Sequence, residues 1–247
     1  MDFHDQMNLL FRQMVEKDQP VRLLNNYRGF PITYEARILG VRDGYLTVSV
    51  HEYQAVCLAL ENKTSIDNHH LPSTLHANVV SVDVLQKQAM LTEFILAKPT
   101  IEMRNTLRVQ PRLPLDAEIY DGERRIGGKI ADISVNGVGV ITFAAYIYGD
   151  LSFETHREVI VDFRLPPSTV VLRFQGKVIH VTNQHGTFMH RLGVKIQPNP
   201  EAGPVLQAYI NARQEEIMRE LRLIYISMCQ ERERQGNHRG IGFPTSS

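Results

Sequence analysis

Apolar residues recur at helical spacing near both ends of the chain and in short alternating runs between them. Phe3, Met7, Leu10, Phe11, Met14 and Val15 form one stripe, which predicts an amphipathic helix over residues 2–17. That stripe packs on its own domain in one reading and binds or swaps with a partner in the other. From Val21 to Ala97 the runs are shorter, with turns between them. Thr33–Val41 and Tyr45–Val50 flank Arg42-Asp43-Gly44, and an Asp-Gly pair between β-rich runs is a strong hairpin signal. His76–Leu85 and Ala89–Ile95 read as further strands around a turn at Gln86-Lys87-Gln88. Short, frequent strands predict a small barrel or sandwich.

The same pattern returns over residues 113–196. Leu115, Ala117 and Ile119, then Ile126 and Ile130, frame a turn at Asp121-Gly122-Glu123. Val135–Phe143, Val159–Leu165, Val170–Val181 and Gly186–Ile196 supply more strands, which predicts a second barrel. Past Pro198, Pro200, Gly203 and Pro204 a long helix runs from about Val205 to Arg234. Its apolar positions are Leu206, Ile210, Ile217, Leu221, Ile224 and Met228. From Ile217 they alternate by four and three, as in a heptad seam. Arg213 and Gln214 interrupt the seam, which leaves two readings: packing on its own barrel, or self-association (a homo-oligomer) or partner docking. Gly236–Ser247 is polar and Gly-containing and is expected to be a disordered tail.

The fold class expected is therefore mainly β. Two small barrels of split-barrel type are joined by a short linker, with an N-terminal helix and a long C-terminal helix. The expected boundaries are 1–98 for the first barrel with its leading helix, 99–112 for the linker and 113–200 for the second barrel. The C-terminal helix takes 201–235 and the tail 236–247. Pro99 marks the first boundary, since it removes a ladder donor and disfavours helix in Lys98.

Composition narrows the function. Basic and acidic side chains balance at 27 each, so no global basic field argues for non-specific nucleic-acid binding. Cys57 and Cys229 are far apart in sequence and form no metal or redox motif; they read as free thiols in a reducing cytoplasm. No apolar run approaches the roughly 20 residues of a membrane span. The N-terminal residues carry Asp2 and Asp5 and do not read as a signal peptide, so a cytoplasmic location is expected.

Two short segments carry the candidate chemistry. Arg104-Asn105-Thr106-Leu107-Arg108 places two arginines four apart, and about two dozen residues on comes Asp132-Ile133-Ser134-Val135-Asn136-Gly137. Arginine is a planar charged fork suited to phosphate or a guanine edge. An aspartate accepts from base N–H groups, a serine both donates and accepts, and a glycine admits a close approach. These are parts for binding an anion with purine edges rather than for breaking a bond. RxxxR alone is nearly uninformative and DxSxxG alone is weak; their order and spacing together are specific. Arg108 and Arg112 form a second RxxxR register, which stays open.

The combined pattern resembles the signature of PilZ domains, bacterial receptors for cyclic di-GMP. Val109 and Pro111 after the second arginine agree with it. So do Val161–Pro166, Gly176–Val181 and Leu192–Ile196, which resemble later strands of that barrel. The resemblance covers roughly residues 100 to 200. The preceding region more loosely resembles the N-terminal barrel of YcgR-type proteins. The resemblance implies that Arg104 and Arg108 grip guanine edges and phosphates, and that Asp132 accepts from guanine N1–H and N2–H. Ser134 would bond a phosphate or base, and Gly137 would admit the ligand. Met103, Asn105, Arg112 and Asn136 are secondary contacts. It further implies a receptor that changes its interdomain arrangement and acts as a flagellar brake recruited to the basal body. The alternatives are an adaptor for exopolysaccharide synthesis or transcription, with a synthase or regulator as partner, and a nucleotide-independent oligomeric scaffold.

Enzyme readings are weaker. His69, His70 and His76 lack acidic or cysteine companions at ligand spacing, and His180, His185 and His190 flank a Gly turn. Gly122–Lys129 evokes a P-loop, but an extra glycine displaces the lysine and no Ser/Thr follows. Gly137-Val138-Gly139 lacks the third glycine of a dinucleotide fingerprint. No catalytic residue, metal or cofactor is expected.

Overall fold

The structure, a computed structural model, describes residues 3–97, 107–123, 125–143, 155–183 and 189–238. Its contacts divide the chain into two compact units. The first comprises Met1–Tyr27, Pro31–Met103 and Ile217–Ser247, the second Arg28–Phe30 and Arg104–Glu216.

The first unit opens with helix α1 (Phe3–Glu16), followed by strands β1 (Val21–Tyr27), β2 (Phe30–Ala36), β3 (Ile38–Arg42) and β4 (Tyr45–Ser49). Helix α2 (Glu52–Glu61) precedes β5 (Lys63–Asp67), β6 (Leu75–Asp83) and β7 (Gln88–Leu96). The seven strands form one sheet in the order β2-β1-β5-β6-β7-β4-β3. The Asp-Gly hairpin forms as expected between β3 and β4. Asp43 and Gly44 both take positive φ, 49° and 82°, the twist that suits a two-residue hairpin. The α1 stripe faces inward: Met7, Phe11 and Met14 join Leu23, Leu46, Ile66 and Leu91 in one core, whereas Val15 stays exposed. Phe11 meets Phe94 at 5.0 Å between ring centroids, a tilted pair.

Helix α2 was not anticipated, because it lacks a one-sided stripe. Gln54, Ala55, Val56, Cys57 and Leu58 are all buried, so the run is covered on several faces and reads equally well as a strand. Its ends have local causes. The His51 side chain accepts from the Tyr53 N–H at the N-terminus, and Asn62 takes the left-handed conformation at the C-terminus. The amide of Gln54 donates to Asn25, which also accepts from Thr64 at 2.8 Å and donates to Glu61 at 2.7 Å. This network ties α2 to β1 and β5, and burial pushes the Glu61 carboxyl upward.

The second unit is a closed barrel of six strands. They are β8 (Leu115–Tyr120), β9 (Arg125–Ser134), β10 (Gly137–Phe143), β11 (Glu158–Arg164), β12 (Val171–Asn183) and β13 (Met189–Ile196), in the order β10-β13-β12-β11-β8-β9. Ile119, Ile130, Val140, Phe163, Phe174 and Val194 fill its interior. Register shifts at Gly139/Val140 and Val178/His180 bend the wall. The protein is thus mainly β, as expected: one sheet closes as a barrel and the other is a half-barrel.

Helix α3 (Ala202–His238) begins with the Asn199 side chain accepting from the N–H groups of Glu201 and Ala202. Its first part counts with the second unit, where Leu206, Ile210 and Arg213 are buried; from Ile217 it counts with the first. Ile217 and Leu221 of the expected seam are fully buried, while Leu223 and Ile226 are exposed. Residues 236–238 close α3, and the rest of the expected tail lies outside the described residues.

Two outcomes follow from the first unit. Phe11→Ala should cost about 3–5 kcal/mol of stability in urea unfolding, as for other fully buried aromatics. Cys57 is completely buried and its thiol is pushed up to about 12 by burial, so at pH 8 it stays protonated. Alkylation of the native protein should label Cys229 first and Cys57 only on unfolding. Rapid native labelling of Cys57 would contradict the placement of α2.

Candidate functional site

The candidate residues meet where the end of β9 turns into β10. Ser134 pairs with Gly137 across a two-residue loop, and the Ser134 hydroxyl closes it. That hydroxyl lies 3.1 Å from the Gly137 carbonyl oxygen and 3.3 Å from Asn136 Oδ1, and Ser134 is fully buried. In this arrangement it serves the turn, and direct contact with a ligand would require it to rotate outward. Asn136 itself is exposed, and its carbonyl accepts from the Ile196 N–H at 3.1 Å.

Arg108 is placed by backbone pairing. Its neighbour Val109 bridges Ile133 antiparallel, with reciprocal N–H to carbonyl bonds of 2.9 Å each. The next residue, Gln110, is held through its carbonyl by Nε of the buried Arg213 on α3, at 2.9 Å. The last residues of the expected linker are therefore built onto the barrel.

So positioned, Arg108 donates through Nη1 to Asp132 Oδ1 at 2.9 Å. Its Nε is buried without a hydrogen-bond partner. The Asp132 side chain is only 4% exposed. A buried carboxylate needs compensation, and a second guanidinium provides it: Arg191 of β13 donates through Nη2 to Asp132 Oδ2. Arg191 was not among the residues singled out from sequence. Lone arginines are ordinary on barrel strands, and only the cross-strand registers, Asp132 with Gly139 and Gly139 with Gly193, reveal that β13 passes beside Asp132.

Two glycines make room for this cluster. A Cβ on Gly139 would lie 2.7 Å from Asp132 Oδ2, so any side chain there would displace the carboxylate. A Cβ on Gly137 would lie 3.3 Å from Ser134 Oγ and from the Val194 carbonyl, and 3.9 Å from Arg108 Nη2. Arg108, Asp132, Ser134 and Gly137 are thus brought together. Arg112 is exposed and borders a shallow cavity of about 410 Å³ with Pro111, Lys129, Ile141 and Met189. Among the described residues it makes no hydrogen bond or ion pair to Asp132. Met103, Arg104 and Asn105 lie outside the described residues. Arg108 belongs to both RxxxR registers.

The chemistry of the arrangement suits binding rather than bond breaking. Two guanidiniums share one carboxylate, which leaves a net positive charge beside an acceptor that still has lone pairs. Among the described residues no helix is long and apolar enough to cross a membrane.

Residues 102–212 match the model of the PilZ domain, and this part of the chain is a PilZ domain. A search of the curated proteins found no match. Among solved structures, YcgR of Escherichia coli in complex with c-di-GMP is 13% identical with a TM-score of 0.42. It covers 91% of this chain and 100% of its own. The inhibitor of motility MotI/DgrA of Bacillus subtilis is 15% identical with a TM-score of 0.41, covering 80% and 96%. The MrkH–c-di-GMP complex of K. pneumonia is 11% identical with a TM-score of 0.42, covering 88% and 96%.

The contact between Gly139 and Asp132 has a measurable consequence. Gly139→Ala should destabilise the barrel by about 1–3 kcal/mol, the usual cost of overpacking. The carboxylate cannot simply swing away, since both its oxygens are paired. An unchanged urea midpoint would show that Asp132 is free to move.

Proposed function

We propose that this chain is a cyclic di-GMP receptor without catalytic activity. The observation that carries the reading is the buried Asp132 carboxylate gripped by Arg108, with the Arg108 Nε left unpartnered, inside the segment that matches the PilZ domain. In the proposed complex Arg108 turns its free donors to a guanine O6/N7 edge or a phosphate, the geometry by which arginine reads guanine elsewhere. Arg104 takes the same role from four residues upstream. Asp132 accepts from guanine N1–H and N2–H, since a carboxylate offers about four lone-pair sites and two are engaged. Gly137 leaves the ligand an approach to the barrel wall, and Ser134 holds the turn from which Asp132 projects.

The proposed effect is a change in the arrangement of the two units. RxxxR lies in sequence between the strands of the two sheets, so a ligand that grips it acts on the stretch that joins them. Nucleotide can drive such a change only through tighter binding to one arrangement. For the output, we favour a brake on flagellar motility, supported by the resemblance of residues 1–98 to the N-terminal barrel of YcgR-type proteins. Recruitment to the basal body would follow from it.

Calorimetric titration of cyclic di-GMP into the wild type and Arg108→Ala tests the receptor reading. Truncating one arm of a desolvated charge pair costs roughly 2–5 kcal/mol, so the variant should lose about thirty- to thousandfold in affinity. A wild type that does not bind, or a variant that binds equally well, would refute it. Small-angle scattering with saturating nucleotide tests the rearrangement, and unchanged profiles would remove it. Pull-downs with and without nucleotide test the output. Motor proteins are expected, whereas a polysaccharide synthase or a transcriptional regulator would replace the brake with an adaptor.

A further inference from the structure

The second cation on Asp132 lies outside the RxxxR…DxSxxG pattern and needs its own account. We infer that Arg191 is a third arginine of the nucleotide site. It would position the Asp132 carboxylate for the guanine Watson–Crick edge and offer its remaining donors to the ligand; the inference rests on the receptor reading above.

Asp132 Oδ1 is held by Arg108 and Oδ2 by Arg191, so the two guanidiniums pull on separate oxygens. Behind Oδ2 stands the Cβ-free position of Gly139. Together these fix the rotation of the carboxylate about its last torsion. Without Arg191 that group could turn both oxygens towards Arg108, the bidentate arrangement arginine prefers, and its accepting edge would leave the site.

The surroundings favour a ligand over a purely structural pair. One carboxylate would satisfy a single guanidinium, yet two converge on it, and the Arg108 Nε remains buried without a partner. Arg191 is bound to Asp132 at one terminus only, and its side chain is 44% exposed. Two residues along β13 on the same face is Gly193, paired with Gly139 across the strands. The wall beside Arg191 therefore has a side-chain-free position at Gly193, next to the Asp132 carboxylate that covers Gly139. A planar base laid there would meet Asp132 at one edge and Arg191 at one end. Arg191 lies on β13, far in sequence from RxxxR, so its grip on nucleotide would not depend on Arg104.

The test uses the full chain and two nucleotides, cyclic di-GMP and cyclic di-IMP, whose hypoxanthine lacks the N2 amino group. Titrations are made with wild type, Arg108→Ala, Arg191→Gln and Arg191→Lys, with circular dichroism to confirm folding. Arg191→Gln should weaken cyclic di-GMP about ten- to hundredfold and shrink the preference for guanine over hypoxanthine, because Asp132 no longer faces N2–H. Arg191→Lys keeps the charge but not the fork, and should recover affinity more than preference. A role in barrel stability alone would lower both nucleotides in parallel, and that result would overturn the inference. So would unchanged or tighter binding by Arg191→Gln, which would make Arg191 neutral or a competitor for Asp132. If wild type binds and Arg108→Ala does not, either result leaves the receptor reading standing. If wild type binds neither nucleotide, both fall.

Discussion

A charge buried in the wall of a small barrel governs the second unit. Asp132 is almost inaccessible, and an isolated carboxylate in that position would be expelled or protonated. Two arginines from distant parts of the sequence keep it there. Removing the shared carboxylate would leave two guanidiniums uncompensated and cost about 3–5 kcal/mol, whereas the intact cluster adds little net stability. The cluster is therefore poor mortar and good geometry. It couples the second arginine of RxxxR, the end of β9 and the first half of β13 into one arrangement, and the glycine opposite Asp132 follows from it.

The same constraint separates what could be read from the sequence from what could not. The alternation in Leu115–Ile119 and Val159–Leu165, and the Asp43-Gly44 turn, are local signals, and the strands and hairpin they predict are present. Arg108, Asp132, Ser134 and Gly137 were legible because their spacing matches a known signature. Arg191 and Gly139 were not, since their roles depend on which strands become neighbours and in what register, and a one-residue slip would move both to other partners. Helix α2 was missed for a related reason. A helix covered on several faces loses the amphipathic stripe by which helices are recognised, and only its burial beneath the sheet explains Ala55, Val56 and Cys57 in succession. The direction of the Ser134 hydroxyl was equally beyond reach: the residue type fits a ligand contact and a turn cap alike.

The polar residues inside the first unit obey the same logic at lower stakes. Gln54 and Glu61 of α2 meet Asn25 of β1 and Thr64 of β5, and hydrogen bonds join them. The network fixes the helix over β1 and β5 while the core of α1 and the sheet supplies most of the apolar burial. One unit thus uses a network of side-chain amides, a hydroxyl and one carboxyl to register a helix on a sheet; the other uses paired ions to register a segment on a barrel.

The difference between a closed barrel and an open sheet also bears on how the chain avoids sticking to its copies. Closure leaves the six-stranded barrel no unpaired ladder for another strand to extend. The seven-stranded sheet ends in β2 and β3, and an exposed edge is a template for aggregation. Both carry a safeguard: β2 has Pro31, which cannot donate, and β3 is only five residues long with a register shift between Ile38 and Gly40. The first unit is thereby protected by imperfection, and straightening its edges would trade solubility for regularity.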